Sequence, residues 1–281
     1  MPEITTGDLT IHYGEAGDRE APAVVLLHGF TSDNRMWLPV VDAFSQDYRV
    51  IAPDLRGHGQ TTAPEDLDTY TMDAYAADLA ALLDALEVDI CALVGCSFGG
   101  MVALQFAAND PARVAGLVLS DTSAAYSHPD YGEPYRAREA GIDARCELVD
   151  RFGPAEVGKR AAREVTDPFL AEGLRNRFAR LSREGFLGAA KVRRERPDLL
   201  PVLKERITMP VLVCIGDQDP VQSASDVMVR ELPGARYLVF KSTGHGVPVQ
   251  RPEAYAREVL QFLADVEDGS DVAGKRTVNA G

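Results

Sequence analysis

Leu93-Val-Gly-Cys-Ser-Phe-Gly-Gly-Met101 is the stretch that decides the fold of this chain. The apolar residues 90–94 predict a short strand, and the apolar run that begins at Met101 predicts a helix. Between them, residues 95–99 match G-x-S-x-G, the pattern of a sharp strand-to-helix turn that holds a serine in a strained backbone conformation. Glycine at the flanking positions avoids collisions with the neighbouring strand and helix. Ser97 is therefore a candidate nucleophile.

Strand-like and helix-like segments alternate on both sides of this turn. Residues 4–14 predict a β-hairpin, and short apolar runs predict six further strands at residues 23–27, 48–52, 90–94, 116–120, 211–215 and 236–240. Helical patterns separate most of them, and Thr71 is the expected N-cap of one helix. This alternation is typical of an α/β fold, with a mostly parallel eight-stranded sheet flanked by helices.

The alternation stops from about residue 121 to residue 201, where Arg, Glu and Ala are frequent and no strand-like run occurs. We therefore expect a core of residues 1–124 and 202–266 and an inserted helical cap of residues 125–201. Residues 267–281 have the composition of a disordered tail.

Composition limits the classes of partner. The net charge of −14 over 281 residues argues against nucleic acid or an anionic membrane surface. No run approaches the roughly 18 to 20 apolar residues of a membrane span, and residues 1–6 do not resemble a secretory signal. We expect a cytoplasmic protein. The four cysteines show neither metal-ligand nor disulfide spacing.

A serine hydroxyl needs a base to take its proton, and that base must be oriented by an acid. His245 is the strongest of the five histidines as a base, because it follows the last predicted strand on a glycine-flanked loop. Asp217 and Asp219 follow the preceding strand, and we favour Asp219, with Asp217 as a turn-former. Asp121, at the end of an earlier strand, is a rival for the same role.

These motifs resemble those of the α/β-hydrolase fold, and the resemblance covers roughly residues 4–264. Ser97, Asp219 and His245 occur in the chain order of that family's catalytic triad. The resemblance implies that His28-Gly-Phe30 is an oxyanion loop, with the backbone N–H groups of Phe30 and Phe98 as donors. It also implies that residues 54–59 form a turn that braces this loop, and that the inserted helices cover the pocket.

The elbow serine narrows the type of hydrolase, because haloalkane dehalogenases and epoxide hydrolases of this fold carry an aspartate there. Residues 95–101, 119–125 and 135–138 are similar to those of 3-oxoadipate enol-lactonases, although carboxylesterases and cofactor-free perhydrolases share parts of this likeness. We expect hydrolysis of an ester or lactone of a small metabolite, without metal or organic cofactor. The alternatives are a C–C bond hydrolase of ring-cleavage products, a cofactor-free perhydrolase and a non-catalytic ligand-binding protein of the same fold. Homo-oligomer formation stays open.

Three further features have ordinary structural interpretations. Cys96 adjoins Ser97, but the elbow directs the central residue at the substrate. Trp37 lies on an amphipathic segment and is expected in the core. The arginines of the cap are interpreted as a solvated face with ion pairs, from which Arg136 or Arg138 could reach a substrate carboxylate; this arginine set comprises Arg136, Arg138, Arg145, Arg151, Arg193 and Arg194.

Overall fold

A nine-stranded sheet forms the centre of the computed structural model, which describes residues 2–279. Its strands are β1 (Glu3–Thr6), β2 (Leu9–Ala16), β3 (Ala23–Leu27), β4 (Arg49–Pro53), β5 (Cys91–Cys96), β6 (Val114–Ser120), β7 (Val211–Gly216), β8 (Arg236–Phe240) and β9 (Gly274–Val278). Their order across the sheet is β1-β2-β4-β3-β5-β6-β7-β8-β9. The pairs β1–β2 and β2–β4 are antiparallel, and all later pairs are parallel. The predicted α/β class and mostly parallel sheet are confirmed.

Eleven α-helices accompany the sheet within the described residues. They are α1 (Leu38–Phe44), α2 (Met72–Ala85), α3 (Phe98–Asn109), α4 (Glu133–Phe152), α5 (Pro154–Arg163), α6 (Pro168–Ala179), α7 (Arg183–Glu195), α8 (Leu203–Arg206), α9 (Gln222–Arg230), α10 (Val247–Gln250) and α11 (Pro252–Glu267). The Thr71 hydroxyl accepts a hydrogen bond from the Ala74 N–H, so the predicted N-cap of α2 is confirmed. Of these helices, none is long and apolar enough to cross a membrane.

Helices cover both faces of the sheet, because its central strands are buried on both sides. All residues of β4, β5 and β7 are buried. One face packs against α2, α3 and α9, and the other packs against α1 and α11. Trp37 is fully buried on the α1 side, where its ring centroid lies 6.4 Å from that of Tyr255, so its expected place in the core is confirmed.

Four helices, α4 to α7, lie between β6 and β7, in the segment predicted as a cap. Phe186 of α7 reaches the loop after β3, where its ring centroid lies 4.9 Å from that of Phe30. A small apolar cluster around Val149, Val157, Phe178 and Phe186 joins these helices to one another. The division of the chain into core and cap stays a prediction.

The predicted strand number and disordered tail are wrong. A ninth strand, β9, extends the sheet in parallel register with β8, from Arg236 opposite Gly274 to Phe240 opposite Val278. Val278 is buried, and Arg276 forms an ion pair with Glu258 of α11. The other β9 side chains are exposed, as is typical of an edge strand, so the segment has the polar composition of a tail. Met1 of the predicted core and Ala280 and Gly281 of the predicted tail lie outside the described residues.

The turns after β3 and β4 are held together by two buried histidines. His28 Nδ1 donates to the Gly29 carbonyl and its Nε2 accepts the Leu55 N–H at 3.0 Å. His58 packs edge-on against His28, with ring centroids 5.2 Å apart. Burial lowers the pKa of His28 from 6.5 to about 4 and that of His58 to about 3. Both rings are therefore neutral in the folded protein at neutral pH.

This histidine cluster predicts that the folded protein becomes less stable as the pH falls. As pH falls from 6.5 towards 4, the unfolded chain binds protons at these histidines that the folded chain does not, so the free energy of unfolding decreases. Each histidine contributes a slope of about 1.4 kcal/mol per pH unit in this range. His58→Gln should flatten the pH dependence by about that amount in urea unfolding between pH 4 and 7. His128→Gln, outside the cluster, is the control, and equal slopes in both variants would contradict the account.

Candidate active site

Ser97 stands at the turn between β5 and α3, where the backbone takes the conformation that the sequence predicts. Its φ of 54° and ψ of −112° lie outside the helical and strand regions. A Cβ atom at Gly99 would lie 2.1 Å from the Leu27 carbonyl oxygen of β3, and one at Gly95 would lie 2.5 Å from the Gly99 carbonyl oxygen. Both flanking glycines are therefore required for the close approach of β3, β5 and α3.

The structure brings Ser97, His245 and Asp219 into one hydrogen-bonded chain. Ser97 Oγ lies 2.9 Å from His245 Nε2, and His245 Nδ1 lies 2.8 Å from Asp219 Oδ2. The three residues come from the ends of β5, β8 and β7, at one edge of the sheet. Ser97 and Asp219 are buried, while about 29% of the His245 side chain is exposed. The imidazole can therefore touch both the serine and a substrate.

The hydrogen bonds of His245 fix its tautomer. Arg138 Nη2 lies 3.1 Å from His245 Nε2, and a guanidinium is always a donor. His245 Nε2 therefore accepts, so the ring proton is on Nδ1 and is donated to Asp219. In this tautomer Nε2 has the lone pair that a base must offer to the serine hydroxyl.

Asp219 and Asp121 are neighbours with opposite electrostatic environments. Burial alone would raise the pKa of Asp219, but the hydrogen bond and charge of His245 hold it below its usual range. Burial and the charge of Asp219 raise the pKa of Asp121 well above its usual range. Asp121 Oδ2 accepts the Val247 N–H at 2.8 Å. The carboxylate that touches His245 is thus that of Asp219, and the environment favours a neutral Asp121.

Asp217 takes part in the turn rather than in this chain of hydrogen bonds. Its Oδ1 accepts the Thr243 N–H at 3.3 Å, and its Oδ2 lies 3.5 Å from Lys241 Nζ. Asp217 therefore stabilises the loop that leads from β8 to His245, in keeping with the predicted turn-former.

Two backbone N–H groups beside Ser97 have no partner among residues 2–279. They belong to Phe30, in the loop after β3, and to Phe98, the first residue of α3. The loop lies against the elbow, since a Cβ atom at Gly29 would meet Ser97 Cβ at 3.5 Å. His58 packs on both phenylalanine rings, at centroid distances of 6.3 Å and 6.1 Å. Unpaired donors in this position can receive a developing negative charge.

A cavity of about 510 Å³ opens in front of Ser97, between the loops of the sheet and helices α4 and α6. Its walls combine Phe30, Met36 and Ile142 with polar groups of the elbow and of His245. Cys96 also borders this cavity, but it is 2% exposed, and burial raises the pKa of its thiol well above the usual range. A thiol held neutral in this way is a poor nucleophile.

The interpretation of the cap arginines as one solvated face is wrong. Arg138, Arg145 and Arg177 border the cavity. Arg193 is buried and pairs with Glu139 and Asp143. Arg136, in contrast, is exposed and pairs with Glu133. The sequence indicates Arg138 as one of two carboxylate-binding candidates, but no local pattern points to Arg177. The sequence does not show which face of each cap helix points towards the cavity.

One cluster of metal-ligand type occurs in the described part of the chain. Asp121, Asp219 and His245 offer ligand atoms within 4.8 Å of one another. Hydrogen bonds already use these atoms, because Asp219 binds the proton on His245 Nδ1 and Asp121 accepts the Val247 N–H. A cation here would have to displace that proton and the serine–imidazole contact. The donor set therefore fits a proton-transfer chain better than a metal site.

Comparison with known proteins shows the family of this chain. The family model of the alpha/beta hydrolase fold matches residues 22–252. The 3-oxoadipate enol-lactonase 2 of Acinetobacter baylyi is 29% identical over 91% of this chain and 94% of its own. Epoxide hydrolase 3 of Xenopus tropicalis is 36% identical over 92% of this chain and 75% of its own. A thermophilic esterase of Thermogutta terrifontis, solved with malate bound, has a TM-score of 0.79 and 29% identity, and the match covers 94% of this chain and 98% of the esterase.

The matched range includes the elbow, the loop after β3 and the loops after β7 and β8 that carry Asp219 and His245. The relatives support hydrolase activity, and this chain belongs to the α/β-hydrolase fold family, of the type that includes enol-lactonases and esterases.

Proposed function

We propose that this protein hydrolyses a carboxylic ester or lactone of a small metabolite through an acyl-enzyme on Ser97. The observation that carries the proposal is the unbroken chain of hydrogen bonds from Ser97 Oγ through His245 to Asp219, with distances of 2.9 Å and 2.8 Å. A buried carboxylate on Nδ1 and a serine on Nε2 are the arrangement that makes a hydroxyl nucleophilic.

The reaction would proceed in two halves. Ser97 Oγ attacks the carbonyl carbon while His245 Nε2 takes the hydroxyl proton, and Asp219 stabilises the imidazolium that forms. The carbonyl oxygen becomes negatively charged and accepts hydrogen bonds from the N–H groups of Phe30 and Phe98, each worth about 3 to 4 kcal/mol in the transition state. His245 then returns the proton to the leaving alkoxide.

The second half repeats this chemistry with water. His245 takes a proton from water, the resulting hydroxide attacks the acyl carbon, and Ser97 leaves with the proton from His245. The products are a carboxylic acid and an alcohol, or one hydroxy acid when the substrate is a lactone. No step requires a metal or an organic cofactor.

The choice of ester or lactone chemistry rests on the elbow residue and on the relatives. Serine at position 97 can form an acyl-enzyme with a carbonyl substrate. This chain is also similar to an epoxide hydrolase. The epoxide hydrolases of this fold carry an aspartate at the elbow, whereas this chain carries Ser97, so epoxide hydrolysis is not proposed for this chain. The lactonase and esterase relatives agree with acyl transfer.

The setting that we propose is cytoplasmic, with a small-molecule substrate and no nucleic-acid or membrane partner. The net charge of −14 supports the exclusion of polyanionic partners. Homo-oligomer formation is compatible with this proposal and is not required by it, since Ser97, His245 and Asp219 all come from one chain.

Ser97→Ala tests the nucleophile. Loss of the hydroxyl should lower kcat by about 10⁴-fold or more on a panel of small esters, lactones and enol-lactones. Cys96→Ala is the control, because it removes the adjacent thiol and should retain activity within a few-fold. If Ser97→Ala keeps its turnover, or if Cys96→Ala loses it, the assignment of Ser97 is wrong.

Isosteric substitutions separate the two aspartates. Asp219→Asn should lower kcat by about 10⁴-fold, because the amide cannot stabilise the imidazolium and favours the wrong tautomer. Asp121→Asn should change kcat by less than about tenfold, because Asn preserves a neutral acceptor for the Val247 N–H. Steady-state kinetics on the best ester of the panel would measure both values. The reverse ranking would assign the acid to Asp121.

A further inference from the structure

The cavity in front of Ser97 has a charge opposite to that of the whole chain. Three arginines border it, Arg138 and Arg145 from α4 and Arg177 from α6. Among its described lining residues, none carries a carboxylate. In a chain of net charge −14, a pocket of this kind concentrates positive potential at one place. The cavity is therefore suited to an anion.

Two of these charges are not neutralised by the protein. Within residues 2–279, neither Arg145 nor Arg177 forms an ion pair with a carboxylate. Burial, together with the charge of Arg138, lowers the pKa of Arg145. Keeping unpaired guanidinium groups together in a half-enclosed cavity costs free energy, which a bound anion would offset.

Arg138 contacts His245 Nε2, the nitrogen that must accept the serine proton in the proposed reaction. Its Nη1 lies 2.8 Å from Glu139 Oε1, and its Nη2 lies 3.1 Å from His245 Nε2. The same Nε2 lies 2.9 Å from Ser97 Oγ. A neutral imidazole has one lone pair at this nitrogen, so the Arg138 N–H and the Ser97 hydroxyl compete for it. His245 accepts the serine proton more readily once Nη2 has turned to another acceptor.

A carboxylate on the substrate is the acceptor that fits. Guanidinium and carboxylate groups form bidentate, charge-assisted hydrogen bonds that are stronger than an N–H bond to a neutral imidazole. Because Nη2 lies within two hydrogen bonds of Ser97 Oγ, that carboxylate would be separated from the scissile carbonyl by a short carbon chain. Arg145 and Arg177 lie on the same cavity and would hold a further carboxylate or raise the local concentration of anions.

We propose that the pocket selects an ester or lactone that carries at least one carboxylate near the scissile carbonyl, and that Arg138 recognises this carboxylate and in doing so leaves His245 Nε2 to Ser97. This inference rests on the proposed function, which identifies the scissile bond as an ester or lactone bond attacked by Ser97. The anion site itself does not depend on catalysis. Arg138 acts here as a specificity-determining residue.

The test compares two esters that differ by one charge, monomethyl succinate and dimethyl succinate. The wild type should prefer the half-ester in kcat/KM. Arg138→Gln should lower the ratio of kcat/KM for the half-ester to that for the diester by about tenfold to a hundredfold, which is the range expected for one lost hydrogen-bonded charge. The loss should appear mainly in KM for the half-ester. On the diester kcat should rise, because no guanidinium competes for Nε2.

Arg136→Gln is the matched control, since it removes the same charge from an exposed position on the same helix, where Arg136 pairs with Glu133. Its ratio should stay within about twofold of wild type, because exposed ion pairs contribute little. An unchanged ratio in Arg138→Gln, or a wild-type preference for the neutral diester, would overturn the inference.

Calorimetric titration of succinate into Ser97→Ala separates this inference from the proposed function. Binding that is lost in Ser97→Ala/Arg138→Gln supports the anion site even if neither ester is hydrolysed, in which case the hydrolytic proposal alone fails. Hydrolysis of both esters with no Arg138-dependent binding of succinate would leave the hydrolytic proposal in place and refute the anion site.

Discussion

The close packing of β5 and α3 against β3 is the constraint on which the rest of the site depends. A Cβ atom at Gly99 would lie 2.1 Å from a backbone oxygen of β3, so the elbow exists only with glycine there. This contact holds Ser97 at a positive φ, and the Ser97 N–H donates to the Ser120 carbonyl at 2.8 Å. The strain of the turn is thus balanced by the sheet on one side and by α3 on the other.

The local electrostatic environment then gives neighbouring aspartates and histidines different protonation states. Asp219 and Asp121 are both buried near His245, yet the directions of their pKa shifts are opposite, because the first touches the imidazole and the second faces the first. His28 and His58 are buried near the same elbow, and burial lowers the pKa of both rings. Among the titratable groups of this region, His245 combines contact with Ser97, contact with a carboxylate and access to the cavity.

The sequence was sufficient to predict the parts of the molecule that local pattern controls. The elbow, the strand ends and the candidates Ser97, Asp219 and His245 all follow from short motifs at the ends of apolar runs. The strand β9 could not be predicted, since an edge strand that buries Val278 and exposes its charged residues has no apolar run. The arginine-lined cavity could not be predicted either. Arg145 and Arg177 lie 32 positions apart on separate helices, and their convergence depends on how α4 and α6 pack. The net charge of the chain carries no information about this cavity, because it sums charges over the whole molecule.

Direct detection of the covalent intermediate tests the central claim, that Ser97 is the nucleophile. The enzyme would be mixed with a 4-nitrophenyl ester, quenched with acid within milliseconds and digested, and the fragment that contains Ser97 and Cys96 sequenced by tandem mass spectrometry. We expect one acyl group per chain, attached to Ser97, which forms with the burst of 4-nitrophenol and decays at the rate of steady-state turnover. An acyl group on Cys96 or on any other residue, or turnover with no acylated protein under these conditions, would contradict it.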